Sequence, residues 1–401
     1  MSFIKNFFYS ILRSRFFRLL YKIFCILPIS NNKVLFASDS RSEMDGNFKY
    51  IYEEMRRNGL KLNYKFMLKK SIDTKKTYKE IILLAYYLAT SKYILVDDFY
   101  PMVYPLKIRK GADLIQVWHA VGAFKKFGYS RAGLPGGPSL NSLNHKNYTK
   151  VIVSSKNVAK IYAEGFGIKE DKVYPLGIPR TDIFFSFDYY KQKTKELYDL
   201  FPFLKTKKVI LFAPTFRGNG QNSAFYPLEK INFALLYEQL KEDYVLLIKL
   251  HPFIKNTDFI PEQYRDFIYD FSTYKEVNDL LFVTDILITD YSSICFEFAL
   301  LNKPMIFFAF DLEEYIRQRD FYYQYDLFVP GSIAKTTKEL VDKIKNRQFS
   351  MEKIQPFVNY FYDQKNGNSS KRFVQELIIK EPIYREHIVD IDRNAYRKSK
   401  V

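Results

Sequence analysis

Residues 285–308 read DILITDYSSICFEFALLNKPMIFF, and the alternation of apolar and polar residues in this stretch indicates the fold class. The apolar run ILIT leads into a polar turn, an apolar segment of helical length follows, and KPMIFF opens a second apolar run. Continuous apolar runs separated by a helix-length segment are typical of buried parallel strands in a βαβ unit. The stretch therefore predicts an α/β fold built on a parallel sheet.

The same alternation extends over most of the chain from residue 32 onward. The apolar, β-rich runs are 33–38, 64–68, 93–98, 114–120, 151–155 and 173–177, then 207–216, 244–252, 267–270, 285–293 and 303–310. Residues 187–208 lie between the two groups of runs and predict a linker containing a helix. We expect two Rossmann-like domains, 31–186 and 209–380, facing each other across a cleft, with ligands beyond the carboxyl ends of the strands.

The first 30 residues differ from the rest of the chain. They carry five basic residues and no acidic one, and their apolar positions recur at helical spacing. Basic residues interrupt every window long enough to span a bilayer, and no signal-peptide cleavage pattern follows. Residues 1–30 are therefore predicted to be an amphipathic segment on an anionic membrane surface, although a helix packed on the protein's own core stays open. Residues 381–401 are predicted to be a charged tail.

The net charge of +18, from 62 basic and 44 acidic residues, predicts anionic partners. Two cysteines in 401 residues cannot form a disulfide framework or a metal cluster, which fits a reducing cytosol. The basic residues concentrate at strand ends and in the N-terminal segment instead of along one surface, so we expect no nucleic-acid partner.

A histidine follows the run that ends in the motif QVWHAVGAFKKFG. His119 stands at a strand end, where a side chain that titrates close to neutral pH can accept a proton from an acceptor hydroxyl. Lys125 and Lys126 follow a short glycine-containing turn and are candidates for holding an anion. A buried structural histidine is the alternative, and the flanking basic pair favours the catalytic interpretation.

The run LLIKLHPF places a second histidine at a strand end, and Pro252 stops the strand there. His251 could donate a hydrogen bond to a phosphate oxygen, while a surface histidine at a capped strand end is the alternative. We expect the other two histidines, His145 and His387, to be structural.

The polar turn of residues 290–293 lies between a strand and an apolar helix. Asp290, Ser292 and Ser293 are there, and the free N–H groups of a helix N-terminus suit a phosphate. A serine that merely caps the helix is compatible with that role. Glu297, one helical turn later, could accept hydrogen bonds from ribose hydroxyls.

Two further segments combine basic residues with a strand end or a helix start. In FAPTFRGNG, Thr215 and Arg217 follow a strand, and arginine forms bidentate bonds with phosphate. In YDQKNGNSSKRFVQELI, Ser370, Lys371 and Arg372 open a helix, where cations oppose the helix dipole and so indicate an anion.

Other common signals are missing from the sequence. It has no GxxxxGK[ST] loop and no convincing Asp-x-Asp pair, so we expect no metal and no cofactor. Asp97 and Asp98 are adjacent in YILVDDFY, which points their side chains to opposite faces of a strand. We interpret them as strand-end residues and not as a metal clamp.

With these motifs in order, residues 30–380 resemble the CDP-glycerol glycerophosphotransferase family, the teichoic-acid primases and polymerases. The resemblance depends on five motifs in sequence: QVWHAVGAFKKFG, FAPTFRGN, IKLHP, TDYSSICFEFALLNKPMIFFAFDLEEY and DQKNGNSSKR. It implies a GT-B architecture of two Rossmann-like domains. It also implies a CDP-activated polyol phosphate and a lipid-linked acceptor at the inner membrane face, hence a peripheral enzyme.

The resemblance also implies roles for individual residues. His119 matches the base of the family's WHG element, with Ala120 in place of the usual glycine, and Asp320 likewise stands where glycine is common. The other matched residues contact the donor: His251 at the pyrophosphate, Arg217, Ser292 and Ser293 at phosphate, and Glu297 near the nucleotide. The expected reaction transfers a polyol phosphate, glycerol phosphate in the first place and ribitol phosphate in the second, with release of CMP. The alternative is a GT-B glycosyltransferase that uses a nucleotide sugar.

Overall fold

A computed structural model describes residues 14–69, 74–134, 137–218, 220–255 and 259–379, which form two compact units. Unit 1 contains the chain up to Ala120, then Phe127–Phe185 and the chain from Asp363. Unit 2 contains Val121–Lys126 and Ser186–Tyr362. The chain therefore returns to unit 1 at Asp363, whereas the sequence predicted one C-terminal domain over 209–380.

Each unit is built on a six-stranded parallel sheet. The strands are β1 Ser30–Ala37, β2 Asn63–Met67, β3 Ser91–Val96, β4 Asp113–Gln116, β5 Lys150–Ile152, β6 Val173–Tyr174, β7 Lys208–Phe212, β8 Tyr244–Ile248, β9 Ile268–Asp270, β10 Ile286–Thr289, β11 Met305–Phe308 and β12 Ser332–Ala334. The helices are α1 (residues 14–24), α2 Gly46–Arg57, α3 Tyr78–Thr90, α4 Ala159–Phe166, α5 Phe187–Leu200, α6 Phe233–Leu240, α7 Val277–Val283, α8 Ile294–Ala299, α9 Leu312–Arg319, α10 Tyr325–Phe328, α11 Thr337–Lys345, α12 Ile354–Phe361 and α13 Ser369–Phe373.

In unit 1 the strand order is β2-β1-β3-β4-β5-β6. Residues 34–37 of β1 are fully buried because helices cover both faces of a parallel sheet. Phe373 of α13 and Leu377 of the π-helical turn that follows pack into this core beside Phe36 and Ile115. Each such side chain stabilises the fold by about 1.5–3 kcal/mol, which explains why the last described segment belongs to unit 1.

In unit 2 the strand order is β12-β11-β10-β7-β8-β9. Ile210, Ile248 and Ile288 from three adjacent strands pack together in its core. The predicted linker contains α5. Ser186 caps the N-terminus of this helix, because its hydroxyl accepts a hydrogen bond from the Tyr189 N–H at 3.2 Å. This capping hydroxyl satisfies one of the free N–H groups of the helix, which is why the helix begins there.

The prediction of two parallel-sheet α/β domains is confirmed, and every predicted apolar run contains a strand. The sequence did not predict β12, a strand of three residues. Among the described residues, no helix has both the length and the apolarity needed to cross a membrane. Residues 1–13 of the predicted amphipathic segment and the predicted tail, with His387, lie outside the described residues.

Candidate active site

A strained turn after β4 carries His119. Trp118 has a φ of 49°, in the left-handed region that costs an ordinary residue about 1–3 kcal/mol. The buried side chain of Asn47 on α2 donates to the carbonyls of Val117 and Trp118, both at 2.9 Å, and the Gln116 side-chain oxygen accepts from the Trp118 N–H at 2.8 Å. These bonds hold the backbone of unit 1 in the conformation that presents His119.

The His119 imidazole lies against a carboxylate and remains 45% exposed. Its Nδ1 is 3.3 Å from an Asp98 oxygen, and this contact favours the neutral tautomer with the proton on Nδ1 and the lone pair on Nε2. Burial alone would raise the pKa of Asp98, but His119, the Ser40 hydroxyl and the Phe99 N–H lower that pKa well below its usual range. Asp98 therefore stays ionised, and His119 has the arrangement of a proton acceptor.

Lys125 and Lys126 belong to unit 2, where they pack along the segment after α9. The Lys126 Nζ is 2.6 Å from the Asp320 carboxylate, and the backbone N–H of Lys126 donates to the Asp320 carbonyl at 3.2 Å. Lys125 forms an isolated antiparallel bridge with Phe321. Asp320 adopts a φ of 60°, and its carboxylate partly neutralises the positive charge of this segment. Anion binding by the two lysines stays a prediction.

The structure brings Thr215, Arg217 and Asp290 together beyond the neighbouring strands β7 and β10. Arg217 is 9% exposed and pairs through Nη1 with Asp290 at 2.9 Å and through Nε and Nη2 with Asp311 at 2.6 and 3.0 Å. Nη1 also donates to the Thr215 carbonyl at 2.6 Å, and the Tyr291 ring lies 4.9 Å from the guanidinium. This guanidinium already has internal acceptors, so the predicted phosphate contact would compete with two carboxylates.

Asp290 holds the loop as well as the arginine. It is fully buried, and one of its oxygens accepts from the Thr215 N–H at 2.7 Å and from the Tyr291 N–H. Burial raises the pKa of Asp290, while Arg217 and these N–H groups oppose that rise. The Thr215 hydroxyl is buried and has no hydrogen-bond partner among the described residues.

His251 follows β8, the strand on the other side of β7, and its ring lies 4.7 Å from Phe216. Its Nδ1 accepts a hydrogen bond from the Phe253 N–H at 3.2 Å, so the neutral ring carries its proton on Nε2. His251 thus has the tautomer of a hydrogen-bond donor, the opposite of His119. Lys249 at the same strand end donates to the Ser272 carbonyl at 2.8 Å, and burial lowers its pKa.

Ser292 and Ser293 lie in the turn between β10 and α8, and both are half-buried. The Ser292 hydroxyl accepts a long hydrogen bond, 3.4 Å, from the Ile294 N–H, which partly caps this short helix. Glu297 is 1% exposed within α8. Phosphate binding by the two serines and the ribose contact of Glu297 stay predictions.

Ser370 opens α13, but a side chain from unit 1 already occupies that helix start. The Asp182 carboxylate accepts from the N–H groups of Ser369 and Ser370, both at 2.8 Å. Burial raises the pKa of Asp182, and these two N–H groups oppose the rise. Asp182 therefore occupies two of the N–H groups at this helix start, and no sequence motif indicated it.

The two basic residues of α13 differ in their surroundings. Arg372 donates through Nε to the Leu176 carbonyl and through Nη1 to Asn366, both at 2.8 Å, which joins α13 to the end of β6. Lys371 is half-buried. Arg372 therefore has a structural role in unit 1, and ligand binding by either residue stays a prediction.

The fold matches that of a solved teichoic-acid enzyme. The wall teichoic acid polymerase TagF superposes with a TM-score of 0.73 at 24% identity, over 94% of this chain and 97% of that one. At this identity the likeness establishes the fold, a GT-B-like pair of parallel-sheet α/β domains.

The chain belongs to the CDP-glycerol:poly(glycerophosphate) glycerophosphotransferase family, whose model matches residues 19–379. A teichoic acid poly(ribitol-phosphate) polymerase of Bacillus spizizenii is 56% identical over 93% of this chain and 61% of its own length. The ribitol-phosphate polymerase TarK of Staphylococcus aureus is 46% identical over 91% of this chain and 72% of its own length. A ribitol-phosphate primase of B. spizizenii is 37% identical over 86% of this chain and 91% of its own length. The chain thus spans about three fifths of the first of these relatives.

Proposed function

We propose that this protein transfers a polyol phosphate from a CDP-polyol to a hydroxyl of a lipid-linked acceptor in teichoic-acid synthesis, with release of CMP. The observation that carries the proposal is the opposite surroundings of Nδ1 in the two histidines. His119 Nδ1 faces Asp98 and leaves Nε2 as an acceptor, whereas His251 Nδ1 accepts from a backbone N–H and leaves Nε2–H as a donor. In phosphoryl transfer to a hydroxyl, a base that accepts the hydroxyl proton and a donor that stabilises the developing negative charge each increase the rate.

In the proposed reaction, His119 Nε2 removes the proton from the acceptor hydroxyl, whose oxygen attacks the phosphorus next to the polyol. The bond from that phosphorus to the CMP oxygen breaks, and CMP leaves with the electron pair. His251 Nε2–H and the hydroxyls of Ser292 and Ser293 stabilise the developing negative charge. A general base contributes about 10²–10⁴-fold to such a step, and preorganised donors contribute comparably or more.

Ribitol phosphate is the polyol we propose, although the sequence motifs alone favoured glycerol phosphate. The relatives with 46–56% identity are ribitol-phosphate polymerases by name, and a glycerol-phosphate primase of Bacillus subtilis is 35% identical over 74% of this chain. The higher similarity over a larger part of the chain favours CDP-ribitol as the donor.

The surface of α1 supports membrane contact. Phe17 and Tyr21 are buried on unit 1, whereas Phe16, Leu19 and Ile23 form an exposed apolar stripe at helical spacing, 40–56% exposed. The basic side chains beside this stripe are Arg15, Arg18 and Lys22. An apolar stripe bordered by cations fits the interface of an anionic bilayer. We therefore propose a peripheral enzyme on the cytoplasmic face of the membrane, where a lipid-linked acceptor is within reach.

The test compares donors with the full chain and a lipid-linked teichoic-acid primer. CMP release from CDP-ribitol, faster than from CDP-glycerol and dependent on the primer, is the expected result. Release of a nucleoside diphosphate from a nucleotide sugar, with no CMP from either CDP-polyol, would contradict the proposal and indicate a glycosyltransferase.

A further inference from the structure

We propose that Asp98 is a positioning residue that holds the His119 imidazole in the tautomer and orientation needed to accept the proton of the acceptor hydroxyl. This inference rests on the proposed function, in which His119 is the base. Asp98 itself would touch neither substrate nor the reacting atoms, since it acts through the far side of the imidazole ring.

Sheet topology places the two residues side by side. The strands β3 and β4 are parallel neighbours, with Val96 opposite Gln116. Asp98 comes two residues after the end of β3 and His119 three residues after the end of β4, so both lie at the carboxyl edge of the sheet. Their side chains meet there, with Nδ1 of the imidazole 3.3 Å from a carboxylate oxygen.

The carboxylate is itself held in place. One oxygen of Asp98 accepts from the Ser40 hydroxyl at 2.7 Å, and the other accepts from the Phe99 N–H at 2.6 Å. Because both oxygens have a donor besides the histidine, rotation of the carboxylate away from His119 would break two hydrogen bonds. The orientation of the imidazole is therefore determined by a group that is already fixed.

The buried side-chain amide of Gln116 also joins the backbone at Asp98 to the backbone at Trp118, next to His119. The Gln116 Nε2 donates to the Asp98 carbonyl at 3.1 Å, and the Gln116 Oε1 accepts from the Trp118 N–H at 2.8 Å. Gln116 is fully buried, so these bonds are shielded from water. Displacement of the strand end that carries the carboxylate would thus also displace the turn that carries His119.

Two chemical consequences follow from the carboxylate at Nδ1. It keeps the neutral ring protonated on Nδ1, which leaves the lone pair on Nε2 for the acceptor hydroxyl. It also stabilises the imidazolium that forms when the proton is taken, without accepting the proton itself. Loss of the carboxylate should reduce the rate of the chemical step more than the affinity for the donor.

The pair has other charged and titratable neighbours, and each has its own partner in unit 1. Arg41 pairs with Asp97, Lys76 pairs with Asp39, and the Arg180 guanidinium donates to the His119 carbonyl at 2.6 Å. The group on the loop side is buried and consists of His145, Tyr104 and Tyr148. Asp98 also raises the pKa of His145 and of Asp97, so the assignment of an effect to His119 depends on its tautomer, which is measured directly.

The test uses Asp98→Asn, which keeps the shape and removes the charge. At saturating CDP-ribitol and primer we expect kcat to fall about 10²-fold, within the ~10²–10⁴-fold that a general base contributes. KM for CDP-ribitol should change less than about threefold, because the donor binding groups are untouched. This contrast between kcat and KM separates positioning of the base from binding of the donor.

A matched control lies on β4, the strand that leads to His119. Asp113 is at the opposite end of β4 and pairs with Lys150 at 2.6 Å. Asp113→Asn removes a paired carboxylate of the same type and should leave kcat at the wild-type value. Ser40→Ala removes only one hydrogen bond to Asp98 and should lower kcat by a few-fold, which tests the pair even where Asp98→Asn folds poorly.

A measurement without substrate separates this inference from the proposed function. The chain has four histidines, so ¹⁵N-histidine spectra of the full chain can be assigned with a His119→Gln variant. The wild type should show His119 protonated at Nδ1, and Asp98→Asn should shift it toward the Nε2-protonated form. An unchanged tautomer, or an Asp98→Asn enzyme with wild-type kcat, would overturn the inference. Absence of CMP release from the wild type would instead contradict the proposed function alone.

Discussion

Replacing Arg217 with methionine should destabilise unit 2 strongly, because it leaves two carboxylates without their cation. Asp290 is fully buried and Asp311 is 20% exposed, and both pair with the guanidinium within 3.0 Å. Removing one partner of a buried ion pair costs about 3–5 kcal/mol. For a domain of this size 1 kcal/mol corresponds to about 2–4 °C, so the melting temperature should fall by about 6–20 °C.

The assay is thermal unfolding followed by circular dichroism, with two comparison variants. Arg317→Met removes an arginine of α9 whose ion pair with Glu314 is exposed, and we expect little change in the melting temperature. A triple variant with Arg217→Met, Asp290→Asn and Asp311→Asn should recover part of the lost stability, since no unpaired buried charge remains. An Arg217→Met protein that melts like the wild type and loses only activity would refute the structural role and restore the predicted phosphate contact.

Three further predictions concern other parts of the chain. Burial lowers the pKa of His145 to about 4, so the unfolded chain takes up its proton first as the pH falls. His145 should thus contribute up to about 3 kcal/mol to the free energy of unfolding above pH 6.5, and this contribution should be lost as the pH falls toward 4. The variant His145→Gln should therefore show a flatter dependence of the free energy of unfolding on pH over this range, measured by urea unfolding at several pH values. Leu19→Glu with Ile23→Glu should abolish co-sedimentation with phosphatidylglycerol vesicles, and retained binding would exclude α1 as the contact. Asp182→Ala should lower the unfolding free energy in urea by about 1–2 kcal/mol, and an unchanged midpoint would show that it does not cap α13.

The parallel sheets could be predicted because buried strands of this class are continuous apolar runs, which a single sequence shows directly. The strand β12 escaped prediction because three residues are too few to make such a run. The return of the chain to unit 1 could not be predicted either, because it depends on where Phe373 packs and not on any local sequence pattern.

The candidate site could be predicted only in part. His119 and His251 stand at strand ends, and proximity to a sheet edge is readable once the strands are placed. Asp98, the partner of His119, and Asp311, the partner of Arg217, could not be identified from the sequence. Their contacts depend on strand order and join side chains up to 94 residues apart. Asp98 did carry a signal, since it follows an apolar run as His119 does, and knowing that β3 and β4 are neighbours would have paired them.

Arg372 shows how groups of the protein itself can meet an electrostatic requirement that the sequence indicates. A cation in the first turn of a helix opposes the helix dipole, which indicated an external anion. The structure instead supplies Asp182 at the helix start and the Leu176 carbonyl for the guanidinium. The electrostatic reasoning was sound, but the compensating groups came from the protein itself.

The most direct test of the central claim is CMP release from CDP-ribitol by His119→Ala, measured beside the binding of CDP-ribitol to the same variant. Transfer of ribitol phosphate with His119 as the base predicts a fall in kcat of about 10²–10⁴-fold with the affinity for CDP-ribitol largely retained. Equal losses of rate and affinity would contradict the assignment of His119 as the base. Wild-type turnover by His119→Ala would contradict it as well.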